Sequence, residues 1–286
     1  MWRAPHTRSR YYSHFSDNAN WHVGCVGIHL LRGSDAGPSP SLPWNREGRR
    51  ESGTSLPKYF ALATNGHMSD TKQQSTVEYR FARPEEFDAL ARLTALSFGE
   101  YPFFSFVFRE AFDSYADYVN YMARLDRMHI RANARKHACL VGIRNARVVS
   151  VALLQDPTAK RLGVFDYILS GGLGLIPHAG LTRLLDFFSI SEQAHQDCAR
   201  ECPDAWYVEM LAVDSGLKGQ GLGSHMIEEC LVPYVRAHGG TELSLITNTE
   251  ANRRFYSRNG FTEFAGGQLE RKGTQIGNWS YRMDLE

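Results

Sequence analysis

Residues 209–231 read EMLAVDSGLKGQGLGSHMIEECL. The first residues are apolar, as in a buried strand, and the last ones space apolar side chains as a helix does. Three glycines, Gly219, Gly221 and Gly223, stand between the two patterns. They leave backbone N–H groups uncovered at a helix start, where the dipole favours an anion. With Lys218 at the rim, the segment predicts a phosphate or pyrophosphate site, although a tight turn without a ligand also uses glycine.

Length and composition predict a globular protein. The chain has 286 residues, of which 43% are hydrophobic and 22% are charged, and its formal net charge is +1. That balance gives no electrostatic case for a nucleic-acid or membrane partner, and no apolar run reaches the roughly 18 residues of a membrane span. The five cysteines are irregularly placed, which predicts reduced thiols and no metal site.

The first 67 residues differ in kind from the rest. They carry eight Lys or Arg against four Asp or Glu, with scattered Pro, Gly and Ser and no sustained period. We expect residues 1–67 to be a disordered extension and residues 68–286 to form one domain. Residues 1–67 are either a non-functional extension or misplaced start, or a transit segment. The expected location is therefore cytoplasmic, or mitochondrial if they are a transit segment.

From residue 77 onward the periodicity predicts a mixed sheet with helices on its faces. An early hairpin at 137–156 is followed by strands separated by helices, which indicates an α/β or α+β single domain. The other predicted strands are 77–83, 206–214, 242–248, 261–266 and 278–285, and the predicted helices are 84–98, 112–133, 180–201, 221–238 and 249–260.

Two phosphate-binding motifs compete for the glycine turn. A Walker loop fails because no Gly-Lys-Ser/Thr ending is present. A dinucleotide fingerprint is closer, with Gly219, Gly221 and Ser224 near the required spacing and Glu250 near the place of a ribose-binding acid. It fails on position, because that fingerprint opens its sheet whereas this turn follows a hairpin.

Two motifs carry a family resemblance. The run LAVDSGLKGQGLGS (211–224) resembles the acetyl-CoA loop of the GNAT acetyltransferases, whose pattern is Arg or Gln, two residues, Gly, one residue, then Gly or Ala. The run NTEANRRFYSRNGF (248–261) resembles the second motif of that superfamily. The resemblance covers about residues 77–286 and is nearest to small-molecule members such as puromycin N-acetyltransferase. One departure is Lys218 at the first loop position, which keeps the charge but loses the planar fork.

The resemblance implies the GNAT fold, acetyl-CoA as cofactor and a set of cofactor-binding residues. Leu211 and Val213 would offer their backbone to the pantetheine arm, and Asn252 would contact it. The expected cofactor-binding residues are Leu211, Ala212, Val213, Lys218, Gly219, Gln220, Gly221, Leu222, Gly223, Ser224, Asn252 and Tyr256.

The implied chemistry is direct acetyl transfer from a thioester to an amine. An amine with a pKa of about 10 is protonated at neutral pH, so a base must take its proton. Glu209, two residues before Leu211, is the candidate base, and the alternative is a structural partner for an arginine. Tyr256 matches the position of the general acid that protonates the leaving thiolate, and the alternative is packing.

The acceptor site is the least defined part. Tyr207 alternates onto the same strand face as Glu209, and the aromatic run at 98–108 supplies Phe103 and Phe104 as candidate acceptor contacts, although such rings also fill cores. The glycine-rich run DYILSGGLGLIPHAG (166–180) is expected to be a mobile loop over the same pocket.

The sequence therefore predicts an acetyl-CoA-dependent N-acetyltransferase of a small primary amine, acting as a monomer or homodimer. Three alternatives stay open: acetylation of a protein amine, a CoA-binding protein without catalysis, and, last, a dinucleotide-dependent oxidoreductase.

Overall fold

The structure is a computed structural model that describes residues 76–285. The predicted leader at 1–67 and the domain start at residue 68 lie outside the described residues. Within them the chain order is β1 (Glu78–Phe81), α1 (Phe87–Phe98), α2 (Pro102–Phe108), α3 (Tyr115–Asn133), β2 (Ala138–Arg144), β3 (Arg147–Gln155), α4 (Val164–Leu169), α5 (Ile176–Ala179), α6 (Leu181–Glu201), β4 (Trp206–Val213), α7 (Leu222–His225), α8 (Val232–Ala237), β5 (Glu242–Thr247), α9 (Glu250–Arg258), β6 (Thr262–Arg271) and β7 (Thr274–Asp284).

The strands form one seven-stranded mixed sheet in the order β1-β2-β3-β4-β5-β7-β6. Every neighbouring pair is antiparallel except β4 and β5, which are parallel. The predicted α/β mixed sheet flanked by helices is confirmed. Among residues 76–285, no helix combines the length and apolar character that crossing a bilayer requires.

The two parallel strands part soon after they meet. Their ladder consists of Trp206 opposite Leu243 and Tyr207 opposite Ser244, although β4 continues to Val213 and β5 to Thr247. The side of β4 that faces β5 is therefore open beyond Tyr207. An open strand edge inside a sheet presents backbone groups that need partners.

A β-bulge marks the point where β4 leaves β5. Leu153 lies opposite Met210 and Leu154 lies opposite Val208, so Glu209 is the extra residue of the bulged strand. A bulge bends its strand and redirects a side chain. Here it turns the carboxylate of Glu209 toward helix α3, where it meets His129.

Helices cover both faces of the sheet. The ring of Trp206 packs against Tyr234 of α8 on one face, and the ring of Tyr207 packs edge-on against His195 of α6 on the other, with centroids 4.1 Å apart. Neighbouring strand residues point to opposite faces, so α8 and α6 lie on opposite sides. Helices α1, α3 and α6 enclose the larger aromatic core.

The predicted helix at 221–238 is continuous but contains a π-helical turn. Residues Met226–Leu231 form that turn between α7 and α8. Pro233 follows in the first turn of α8 and has no N–H to donate to the carbonyl four residues earlier, which favours local widening of the helix.

Two regions differ from the expectation. The last two strands are longer than predicted because β6 and β7 continue to a tight turn at Lys272 and Gly273, both with positive φ. Residues 166–180, expected to be a mobile loop, instead contain α4, a 3-10 turn and α5. Tyr167 anchors this segment, because its ring is buried against His129 and Phe188.

Residues at the junction between α1 and α2 hydrogen-bond to the ends of β4 and β5, where the two strands diverge. The hydroxyl of Ser97 donates to the carbonyl of Val213, at the end of β4. Four residues later, the hydroxyl of Tyr101 accepts a hydrogen bond from the backbone N–H of Asn248 (2.8 Å) and donates to its side-chain Oδ1 (3.3 Å), just beyond β5. One short segment thus holds two strand ends apart.

We expect the hydroxyl of Tyr101 to contribute measurably to stability. Tyr101→Phe leaves the buried N–H of Asn248 without that acceptor and should lower the free energy of unfolding in urea by about 1–3 kcal/mol. Tyr118→Phe is the matched control, because Tyr118 is equally buried and its hydroxyl has no hydrogen-bond partner among the described residues. That control should be neutral or slightly stabilising; equal losses in the two variants would contradict the assignment.

Candidate active site

A cleft of about 590 Å³ opens at the end of β4, where the glycine turn meets α7. It is lined by Val213, Leu217, Lys218, Gly219, Gly221, Leu222, Gly223, Ser224, Phe255 and Arg258. Seven of these were predicted to bind the cofactor. The cleft therefore brings together most of the glycine segment with one face of α9.

Local hydrogen bonds shape the turn before the cleft. The carboxylate of Asp214 accepts from the N–H of Gly216, and the carbonyl of the same aspartate accepts from the N–H of Leu217. Gly219 and Gly221 then adopt φ values of +75° and +73°, a region that other residues rarely occupy. The helix that runs from Leu222 to Ala237 starts directly after, so the N–H groups of its first turn lie at the cleft.

Two cationic side chains line the cleft. Lys218 was predicted from the loop motif, whereas Arg258 was missed. Arg258 lies on α9 three residues after Phe255, so one helical face presents both to the cleft. That spacing was readable in the sequence once the helix was placed. A guanidinium here supplies the planar fork that Lys218 lacks.

Two predicted cofactor residues are placed elsewhere. Gln220 is exposed, and its Oε1 accepts from Arg144 of β2 at 2.7 Å, outside the lining of the cleft. Ala212 is buried in the β3–β4 ladder opposite Val151. The hydrogen bond to Arg144 ties the turn to the neighbouring hairpin.

The backbone of β4 has its open side at Leu211 and Val213. The N–H of Asp214 donates to the carbonyl of Val149 on β3. Backbone groups alternate in direction along a strand, so those of Leu211 and Val213 point away from β3, toward the gap. The carbonyl of Val213 already accepts from Ser97, which leaves its N–H and the groups of Leu211 facing that side.

Helix α9 carries the two other motif residues, and both are completely buried. The backbone N–H of Asn252 donates to Thr249 at the helix start, but the side-chain amide of Asn252 makes no hydrogen bond to any described residue. A buried amide without partners is unusual and points to a missing polar partner. The ring of Tyr256 packs against Phe255, Phe261 and Tyr281.

Glu209 is fully buried and held by two side chains. Its Oε1 lies 2.7 Å from Nε2 of His129, and its Oε2 accepts from Nε2 of Gln155 at 3.1 Å. Neither contact is with an arginine, which was the structural partner that the sequence left open for Glu209. His129 and Gln155 were missed, because no motif marks α3 or the end of β3.

Further ionisable groups lie near Glu209 and His129. Burial, with a smaller contribution from the charge of Glu209, raises the pKa of the Tyr167 phenol well above its ordinary value. One turn before His129 on α3, burial raises the pKa of Asp126 to about 7. The hydroxyl of Tyr167 and Oδ2 of Asp126 have no hydrogen-bond partner among the described residues. Such groups cluster at functional sites more than in structural cores.

A second cavity, of about 470 Å³, adjoins the opposite end of β4. Tyr207, predicted to contact the acceptor, lines it together with Gln155, Asp156, His195 and Ser244. Gln155 therefore contacts both this cavity and Glu209. The other two predicted acceptor residues, Phe103 and Phe104, lie in the aromatic core and stack around Phe187 of α6, each about 1% exposed.

The glycine segment and its surroundings match a known domain family. Residues 186–263, which run from α6 into β6, match the family described as Acetyltransferase (GNAT) domain. Residues 186–263 are therefore similar to a GNAT acetyltransferase domain. The predicted superfamily and the enzyme class, N-acetyltransferase, are thereby confirmed, and the segment includes Glu209, the cleft and α9.

Solved structures resemble the GNAT domain at low sequence identity. An agmatine N-acetyltransferase variant in its apo form shares 16% identity over 73% of this chain and 99% of its own, with a TM-score of 0.46. A polyamine N-acetyltransferase of Drosophila melanogaster, described as forming N-acetylagmatine, shares 17% over 73% and 100%, with a TM-score of 0.45. A Salmonella typhimurium protein solved with its cofactor acetyl-CoA shares 15% over 74% and 95%, with a TM-score of 0.40. No curated protein sequence matches the chain significantly.

The GNAT domain offers three features that fit acetyl-CoA. The glycine turn and helix start suit its phosphates, with Lys218 and Arg258 as counter-charges. The open side of β4 suits the amide groups of its arm, and the buried amide of Asn252 has no polar partner within residues 76–285. These are independent features on three elements of the fold.

We expect the glycine turn to matter for cofactor affinity more than for folding. Gly221→Ala forces a side chain into a left-handed conformation at the cleft and should weaken acetyl-CoA binding at least tenfold, measured by calorimetry. Gly239→Ala is the matched control, since its φ of +76° is nearly that of Gly221 and nothing lies near its added Cβ. Both should lose about 1 kcal/mol of stability. Equal cofactor affinity in the two variants would contradict a phosphate site.

Proposed function

We propose that this GNAT domain transfers the acetyl group of acetyl-CoA directly to the amine of a small molecule. The observation that carries the proposal is the arrangement along one strand. The open side of β4 runs from a cationic, glycine-lined cleft at Val213 to a buried carboxylate on the bulge at Glu209. The proposed phosphate site and the proposed base are thus joined by a stretch of β4 that has no strand paired to its β5 side.

At the cleft end, the chain binds negative charge. N–H groups of the first turn after Gly221 and the side chains of Lys218 and Arg258 would hold the phosphates. Arg258 offers the bidentate geometry that the family position occupied by Lys218 lacks. We therefore infer that Arg258 of α9 supplies the bidentate contact that Lys218 cannot make.

Along β4, backbone groups of Leu211 and the N–H of Val213 would pair with the amide groups of the cofactor arm. The side chain of Asn252, on the facing helix, would supply a further hydrogen bond. When bound, acetyl-CoA supplies an acetyl thioester, and the protein determines where that group lies. The β4–β5 ladder ends at Tyr207, two residues before the bulge at Glu209, so the arm would end near the bulge.

Near the bulge, side chains of the protein would transfer protons during the reaction. A protonated amine cannot attack a carbonyl, so Glu209 would accept its proton, directly or through water. Tyr256 would donate a proton toward the leaving sulfur as the family position implies. No covalent bond to the protein is needed, because the amine attacks the thioester itself.

A small acceptor is supported by the second cavity. Gln155 lines this cavity and also donates a hydrogen bond to Glu209, so it links the cavity to the proposed base. The carboxylate of Asp156 in its lining would attract a cationic amine. Acetylation of a protein amine would need an open groove, so we place it second.

A CoA-binding protein without catalysis is the alternative that one observation favours. Glu209 is completely buried and hydrogen-bonded, which would suit a purely structural carboxylate.

One measurement separates acetyl transfer from CoA binding without catalysis. A library of small amines is screened for release of the CoA thiol, with binding of acetyl-CoA and NAD compared by thermal shift. Turnover with any amine supports transfer; binding of acetyl-CoA without turnover across polyamine, aryl-amine and amino-acid sets supports the alternative.

We expect Tyr256→Phe to separate turnover from binding. The change removes one hydroxyl and should lower kcat roughly 100-fold, the scale for loss of a positioned acid, with little change in acetyl-CoA affinity. Tyr121→Phe is the control, because its buried hydroxyl has no hydrogen-bond partner among the described residues and it lies on α3. Unchanged kcat in Tyr256→Phe would remove this tyrosine from the mechanism.

We expect Glu209→Gln to lower kcat/KM most strongly at neutral pH. Glutamine keeps the shape but cannot accept the amine proton, so the reaction depends on amine that is already neutral. Activity should therefore rise with pH toward the amine pKa of about 10. A uniform loss across the pH range, with no recovery, would instead indicate a structural carboxylate.

A further inference from the structure

The proposed function leaves the buried contact between His129 and Glu209 unexplained. His129 and Glu209 are 2% and 0% exposed, and the 2.7 Å contact joins Nε2 to Oε1. An ionised carboxylate only accepts hydrogen bonds, so the imidazole nitrogen must donate. The hydrogen on Nε2 is therefore assigned from the acceptor.

Groups from several elements face this histidine. Asp126 precedes it by one turn on α3, Tyr167 of α4 packs 5.9 Å from its ring, and Glu209 approaches from β4. Gln155 of β3 is uncharged and bonds the other oxygen of Glu209. Arg127, two residues before His129 on α3, pairs with Asp88.

Burying such a set of ionisable groups lowers stability compared with apolar packing of the same volume. A neutral histidine that donates to a carboxylate costs less than an ion pair does, and it leaves the carboxylate basic. A protonated histidine at the same place stabilises the carboxylate as an anion. The basicity of Glu209 then depends on which form His129 takes.

We propose that His129 is a positioning residue with two effects on Glu209. In its neutral form it orients the carboxylate as a base, and in its protonated form it switches that base off. The inference rests on the proposed function, because it assigns Glu209 the role of base. It adds a pH-dependent control that does not touch acetyl-CoA or the amine.

Two substitutions of His129 separate positioning from charge. In His129→Gln the side-chain amide can still donate to Glu209 but cannot become cationic. Its kcat/KM at the high-pH plateau should stay within a few-fold of the wild type, while the fall in kcat/KM toward acidic pH moves to lower pH. His129→Ala removes the donor and should lower the plateau about tenfold or more.

Controls distinguish the histidine from its neighbours. His238→Gln changes a histidine directly after α8, on the opposite face of the sheet, and should leave the pH profile unchanged. Asp126→Asn tests whether the nearby aspartate produces the acidic fall instead. Thermal melting and acetyl-CoA affinity of each variant show whether it is folded. An unchanged pH profile in folded His129→Gln, or its loss in Asp126→Asn alone, would overturn the inference.

A second readout does not need turnover. The imidazole of His129 is followed by NMR across a pH titration in the wild type and in Glu209→Gln. Loss of the neighbouring anion disfavours imidazolium, so the midpoint should move to lower pH in the variant. An unchanged midpoint overturns the inference even in an active enzyme. A shifted midpoint without turnover on any amine supports the coupled pair and counts against the proposed function alone.

Discussion

Two hydrogen bonds from the α1–α2 junction hold the ends of β4 and β5 apart. Ser97 fastens the carbonyl at the end of β4, and Tyr101 fastens the backbone just beyond β5. Without fixed ends, two parallel strands that pair at their start would tend to continue their ladder, because unpaired backbone groups are costly when buried. The separation that these bonds impose produces the open side of β4, on which the proposed cofactor binding depends.

The bulge at Glu209 lies at the other end of that opening. An extra residue lets Met210 and Val208 keep their register with β3 while the carboxylate turns into the helical layer. It enters a region of apolar and aromatic side chains that could have been sealed by another aliphatic residue. Instead the chain buries His129, Gln155 and the hydroxyl of Tyr167 around it, with Asp126 next to His129, an arrangement that hydrophobic packing alone would not favour.

Most of the fold was readable in the sequence, and so was the place of the glycine turn, whereas the roles of the predicted site residues stay predictions. The glycine turn and α9 could be placed because backbone conformation and helix starts leave local signals, namely Gly219, Gly221 and the Thr249 cap. His129, Gln155 and Arg258 could not, since each reaches the site by tertiary contact and belongs to no motif. The prediction of a mobile loop at residues 166–180 missed a tertiary contact as well. Glycines indicate conformational freedom, but the buried ring of Tyr167 anchors the segment. Gln220 shows the converse, a motif residue that points to Arg144 instead of the cleft.

The arrangement of the cleft, Glu209 and the second cavity along β4 also determines which substitutions should have independent effects. The cleft and the carboxylate lie at opposite ends of the open part of β4 and share no side chain, so changes at the two ends should combine nearly additively. The carboxylate and the second cavity are different, because Gln155 belongs to both. If Glu209 is the base proposed above, an acceptor that takes the hydrogen bond of Gln155 would withdraw it from Glu209 and make the carboxylate a stronger proton acceptor. Acceptor binding and base strength would then be coupled through this one amide.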